Sequence, residues 1–287
     1  VGAFTAFYLP LALIIAAVSA ATAPAAILAI VHEYRAKGPL TMTLLGVVAL
    51  DDAVAVILYA FAGSIVRTIT EASGFSVFRM IAEPTVIILG SILLGTVVGF
   101  LLSGLATRVR KTKCLLVIVL GVTFLCYGIA ERLQFSPLLA NMMVGFLIVN
   151  RASQSDRLFE ALEDVEEPIF ALFFTLAGAH FDLRVFKLVG SLAFMIVGCR
   201  FIGKFIGTRF GAALSHAPVV VKKYLGYGLL PTAGVTLGLV FMAQSFMPPD
   251  LFEIMVNAVL GAVIISEIVA PPLVKFALKR AGEGIKE

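Results

Sequence analysis

Apolar stretches near 20 residues in length recur along the whole chain, and this pattern limits the fold more than any other feature. Each is long enough to cross about 30 Å of hydrocarbon as a helix. Of the 287 residues, 60% are apolar and 14% charged, with a mean hydropathy of +1.05. A soluble domain of this size needs more polar surface. The chain therefore reads as an all-α polytopic membrane protein.

Nine spans are expected, at roughly 7–31, 43–65, 84–106, 114–130, 136–150, 168–181, 188–208, 225–246 and 255–274. Two of them, 136–150 and 168–181, are short for a full crossing. The longest polar segment, Arg151 to Glu167, reads as an amphipathic helix along the interface, with Leu158, Phe159, Leu162 and Val165 on its apolar face. No linker or second hydrophilic domain breaks the pattern. The first residue is Val1 and no charged leader precedes the first span, so further spans are expected upstream.

Basic residues test this layout, because cytoplasmic connections carry an excess of Lys and Arg. With the connection after the first span placed in the cytoplasm, 15 of the 22 basic residues fall in cytoplasmic segments and 5 in external ones. The cytoplasmic set includes Arg35, Lys37, Arg110, Lys111, Lys279 and Lys286. The C-terminus is thus expected in the cytoplasm. The net charge of +4 reflects this asymmetry, and no nucleic-acid partner is expected.

The two remaining bases, Arg200 and Lys204, lie inside a span, as do three acids: Asp51, Asp52 and Glu267. A charge at mid-bilayer costs about 2.5–3.5 kcal/mol on insertion scales, so each needs a partner, a wet cavity or a function. Asp51 and Asp52 sit near the middle of 43–65, and adjacent helical residues diverge by about 100°, so one partner does not easily serve both. Two carboxylates this close in low dielectric cannot both ionise cheaply. A group poised between proton and cation is what proton-coupled exchange requires. Arg200 and Lys204 share a helical face one turn apart, and Gly203 and Gly207 clear space beside the lysine. Lys204 either pairs with a core acid or snorkels to the interface, and Arg200 either takes a core ion-pair role or forms a second structural salt bridge. Glu267 either neutralises Arg200 or touches the ion path.

Two spans are interrupted. Pro24, in Ser19-Ala20-Ala21-Thr22-Ala23-Pro24, removes a backbone donor and frees carbonyls near Ala20 and Ala21. Leu230-Pro231-Thr232-Ala233-Gly234 interrupts the eighth span in the same way. Each interrupted span precedes one with a mid-membrane acid, and the two pairs run in opposite directions. That is the pattern of inverted repeats in secondary transporters.

These residues resemble the monovalent cation:proton antiporters of the bacterial sodium/proton type. The resemblance rests on Ala21-Thr22-Ala23-Pro24, Ala49-Leu50-Asp51-Asp52-Ala53, Gly203-Lys204-Phe205-Ile206-Gly207, Leu229-Leu230-Pro231-Thr232-Ala233-Gly234-Val235 and the ending Ala277-Leu278-Lys279-Arg280-Ala281-Gly282-Glu283. It implies one transmembrane transporter domain over 1–287, with core elements about 1–66 and 186–278, intervening spans over 84–181, and two broken helices that cross. It also implies elevator-type alternation, with Asp52 transiently binding cation or proton and Asp51 paired to Lys204. Thr22 would supply an oxygen ligand, with Pro24, Arg200, Thr232 and Glu267 in support. The implied partners are sodium or another monovalent cation, protons and membrane lipid, with a homodimer of the whole protein. The implied location is a bacterial inner membrane.

The chain departs from the family pattern at Ala23, where many relatives carry an acid. The double aspartate, where others have Asn-Asp, favours the electrogenic type. Potassium/proton antiport or efflux is the nearest alternative, and a sodium-coupled symporter of bile-acid-carrier type the next. No resident cofactor and no enzymatic activity are expected. His32, His180 and His216 lie at span ends or in connections, and Cys114, Cys126 and Cys199 lack metal-ligand spacing.

Overall fold

The computed structural model describes residues 2–70, 77–109, 112–151, 155–232 and 234–284. Arg110, Lys111, Lys286, Ala233 and residues 152–154 of the predicted interfacial segment lie outside the described residues.

Every regular element among the described residues is helical. The first span is broken into α1 (Gly2–Val18) and α2 (Pro24–Glu33). Helices α3 (Pro39–Thr70), α4 (Val77–Ala106), α5 (Thr112–Arg132) and α6 (Pro137–Arg151) follow. After α7 (Ser155–Ala179) comes α8 (Leu183–Leu214), then the second broken span as α9 (Val219–Gly228) and α10 (Gly234–Met242), and finally α11 (Pro249–Ala281). Helices α3, α4, α5, α8 and α11 are long and apolar enough to cross a membrane, and the shorter apolar helices complete the predicted spans.

One segment departs from the sequence expectation. The interfacial helix and the short span 168–181 form one continuous helix, α7, with Pro168 inside it. A proline in a helix interior removes one i→i−4 hydrogen bond but need not end the helix when the flanking turns hold.

The chain divides into two compact units. Unit 2, Ala60–Leu176, packs α4 and α5 against α6 around Val98, Leu102, Leu115, Ala140, Val144 and Ile148. Gly95 permits the close approach of α4 to α6, since a Cβ there would lie 2.7 Å from the Met143 Cβ. The Ser136 amide, just before α6, donates to the Ser91 hydroxyl of α4 at 2.8 Å.

Unit 1, Val1–Tyr59 with Ala177–Glu287, holds both broken spans and all five intramembrane charges. Its centre is α11, buried continuously from Met255 to Val263 and packed on α8, α9, α10 and α2. One apolar cluster joins Ile27 and Val31 of α2 and Leu40, Leu44 and Val48 of α3 to Val274 and Leu278 of α11. Burial of that surface holds the ends of these helices side by side.

Candidate ion-binding site

The site begins with Pro24. It occupies the first turn of α2, where its missing N–H is no loss, and Ala23 before it is extended (φ −74°, ψ 108°) with no side-chain cap. The carbonyls of Ser19, Ala20 and Ala21 therefore lie beyond the end of α1 without helical donors. In hydrocarbon such groups need other partners. The Ala23 amide donates to the Pro231 carbonyl at 3.0 Å, so the two interruptions meet through their own backbones. Thr236 of α10 adds a hydroxyl bond to the Val18 carbonyl at 3.3 Å, and shares a 2.9 Å bond with Thr232.

The freed carbonyls are taken by the two bases of α8. Arg200, 7% exposed, donates through Nη1 to the carbonyls of Ser19 and, at 3.0 Å, Ala21. Its Nη2 reaches the Leu230 carbonyl at 3.5 Å, so one guanidinium binds both interruptions. Its rigid fork of donors suits several carbonyls at once. The pairing of Arg200 with Glu267, one of the two roles open to that acid, does not form among the described residues. The guanidinium is already committed to backbone oxygens, which carry the negative end of the α1 dipole.

Lys204 points into the site. Its Nζ lies 2.8 Å from Asp51 Oδ2, 2.5 Å from the Ala20 carbonyl and 2.9 Å from Thr22 Oγ1. All three ammonium donors are thus used within the protein, which is the opposite of snorkelling. Helix α8 continues to Leu214, ten residues beyond the lysine, and so keeps it well inside the helix. The Thr22 hydroxyl donates to Asp51 Oδ2, closing a triangle of Thr22, Asp51 and Lys204.

Asp52 is next in sequence and differently placed. It is 8% exposed, makes no salt bridge among the described residues, and its Oδ1 is buried without a hydrogen-bond partner. The backbone amide of Thr22 faces its carboxylate. Glu267 of α11 repeats this arrangement at the second interruption: the Thr232 backbone amide faces it, and its Oε1 is buried without a partner. Each broken span thus turns a threonine amide toward the acid of the following helix.

A groove of about 1000 Å³ runs along α1, α3 and α8, and Asp51, Arg200 and Lys204 line it. Its walls are otherwise mostly apolar. No cluster of three His, Cys, Asp or Glu side chains that could hold a resident metal occurs among the described residues. The oxygens available to a transient cation are the free carboxylate oxygens of Asp51 and Asp52 and the Thr22 hydroxyl, all hard ligands suited to a monovalent ion. Sequence reasoning located the acids, the bases and the freed carbonyls near Ala20 and Ala21, but neither Thr236 nor the filling of those carbonyls by Arg200 and Lys204. Pro24 was the signal for the carbonyls, because it shows where donors are lost.

The transmembrane sodium/hydrogen exchanger family model matches residues 1–280. The High-affinity Na(+)/H(+) antiporter NhaS3 of Synechocystis sp. is 26% identical over 252 residues, covering 83% of this chain and 52% of that protein. The chain therefore spans about half the length of the curated relative it matches. With the match running through both interruptions, the aspartate pair and Lys204, this integral membrane protein belongs to the sodium/hydrogen exchanger family, within the monovalent cation:proton antiporters.

Proposed function

We propose that the protein exchanges a monovalent cation, sodium foremost, for protons, with Asp52 as the group that binds either. One observation carries this reading: of two adjacent carboxylates, each with one oxygen lacking a donor, Asp51 is held by Lys204 while the more deeply buried Asp52 makes no salt bridge among the described residues. An ionised carboxylate buried in that way is costly unless something compensates its charge. A proton on Asp52 does so, and so does a cation held by the Asp52 oxygens. The two compete for one place, and that competition is the coupling. The name of the relative, a sodium/proton antiporter, agrees with this choice of ions.

Asp51 and Lys204 set the electrostatic frame of the exchange. Their pair cancels locally, so the net charge of the site follows the occupancy of Asp52. Departure of Lys204 from Asp51 would free a second carboxylate for the cation. Access to the two sides alternates by an elevator-type movement of the unit that holds the site, and the whole protein works as a homodimer; both steps rest on the family resemblance. The basic connections support an inner membrane with the C-terminus in the cytoplasm.

Proton movement in proteoliposomes, with sodium, lithium and potassium added in turn, tests the reading and ranks the ions. Asp52→Asn should abolish exchange while leaving the Lys204–Asp51 pair intact. Exchange retained in Asp52→Asn would move the carrier to another residue, and silence of the wild type with all three cations would sink the antiport reading.

A further inference from the structure

The ending Lys279-Arg280-Ala281-Gly282-Glu283 has no part in the site described above, yet the structure gives its last residue unusual partners. Gly282 takes a left-handed conformation (φ 74°) and closes α11, with its amide on the Lys279 carbonyl and the Glu283 amide on that of Leu278. This turn sends Glu283 back to the start of α3. There Oε1 accepts the Leu40 amide at 2.7 Å, while Oε2 accepts the Thr41 amide at 2.7 Å and the Thr41 hydroxyl at 2.8 Å. The Lys37 amide donates to the Glu283 carbonyl at 3.0 Å. Gly38 leaves the room this requires, since a Cβ there would lie 2.5 Å from Glu283 Cγ and 2.7 Å from Oε1.

A helix start leaves backbone amides without partners, and a carboxylate there is favoured by both hydrogen bonding and the helix dipole. That cap is usually supplied by the residue just before the helix. Here it comes from more than 240 positions away, just past the end of the helix that carries Glu267. Helices α3 and α11 carry Asp51–Asp52 and Glu267, so Glu283 ties together the two helices whose acids face the two interruptions.

We propose that Glu283 is a positioning residue for exchange: by capping α3 it fixes the axial register of that helix on α11, and with it the depth of Asp51 and Asp52 at the crossing. The proposal rests on the antiport reading above. Leu40 and Asp51 are eleven residues apart, about 17 Å along the helix, so a rigid α3 transmits a slip at its start directly to the acids. The apolar cluster around Leu40, Leu44 and Leu278 holds the helices together, but apolar contact is non-directional and does not set register by itself. The three bonds to Glu283 are directional and do.

Two measurements on the whole protein test this. Spin labels on Met42→Cys and Ile264→Cys, both exposed positions, report the position of α3 against α11 once Cys114 and Cys199 are replaced by Ser; Cys126 is buried. With Glu283 intact the distance distribution should be narrow. Glu283→Ala should broaden it or shift it by about 1.5 Å or more, one residue's rise. In proteoliposomes the same variant should raise the apparent cation KM about fivefold or more, with Vmax per folded protein within about twofold, because only in-register molecules bind. Glu283→Gln and Thr41→Val, which each spare part of the bonding, should fall between. They also carry the comparison if Glu283→Ala fails to fold.

A lower melting temperature with unchanged KM and unchanged label distances would make Glu283 a helix cap and nothing more, and would overturn the proposal. So would unchanged label distances alone. If the wild type exchanges no cation, the antiport reading falls, and the label distances by themselves decide whether Glu283 sets the register.

Discussion

Lys204 holds Asp51 at 2.8 Å while Asp52, one residue on, makes no salt bridge among the described residues. The asymmetry follows from helix geometry, because neighbouring side chains leave α3 about 100° apart. It also follows from the break in the first span, which brings the Ala20 carbonyl and Thr22 to the lysine and leaves the Thr22 amide for Asp52. Removing one partner of a buried pair strands the other at a cost of about 3–5 kcal/mol. Lys204→Ala should therefore lower the unfolding free energy by roughly 3 kcal/mol. Adding Asp51→Asn should restore much of it. Melting curves of both single variants and the double variant in detergent give the coupling, and simple additivity would show that the pair is not energetically linked.

Arg200 makes a different prediction, since its partners are carbonyls and not carboxylates. Arg200→Met leaves three backbone oxygens at the crossing without this donor. A buried acceptor left without a donor costs about 1–3 kcal/mol, so a total loss of about 3 kcal/mol or more is expected. Arg200→Lys keeps the charge but not the fork, and should recover only part of the loss. Chemical denaturation checks both variants. A neutral Arg200→Met would mean that the interruptions are held by Ala23–Pro231 and the surrounding packing alone.

Glu267 separates two roles for a buried acid. An acid paired with Arg200 would leave a stranded guanidinium when neutralised, at a cost of several kcal/mol. The structure instead leaves Glu267 Oε1 without a donor. Glu267→Gln should accordingly change stability by less than about 1 kcal/mol, or raise it, because it removes a buried charge without breaking a pair. A melting temperature well below that of the wild type would show that Glu267 has a cationic partner after all.

Much of this was legible in the sequence, for reasons that differ residue by residue. Hydropathy locates spans because hydrocarbon admits only helices with satisfied backbones. Pro24 and Pro231 mark the interruptions because each removes a donor. Asp51, Asp52, Arg200, Lys204 and Glu267 stand out because charge at that depth is expensive. The destinations of those charges were less legible. Arg200 satisfies backbone oxygens at Ser19, Ala21 and Leu230, and a backbone oxygen carries no residue code. Glu283 stood out only as the last residue of the ending Ala277–Glu283, since nothing local links it to Leu40 and Thr41. Pro168 reads as a boundary, yet the helix from Ser155 to Ala179 passes through it.

The bond from Ala23 to Pro231 has a side chain at neither end. A conventional substitution scan across 19–24 and 229–232 would remove hydroxyls and rings and leave that link intact. The bond itself is therefore indifferent to residue type at position 23, proline excepted, and is lost with any insertion or deletion there. Its chemical signature would come from replacing the Ala23 amide with an ester, which deletes one proton and alters no side chain.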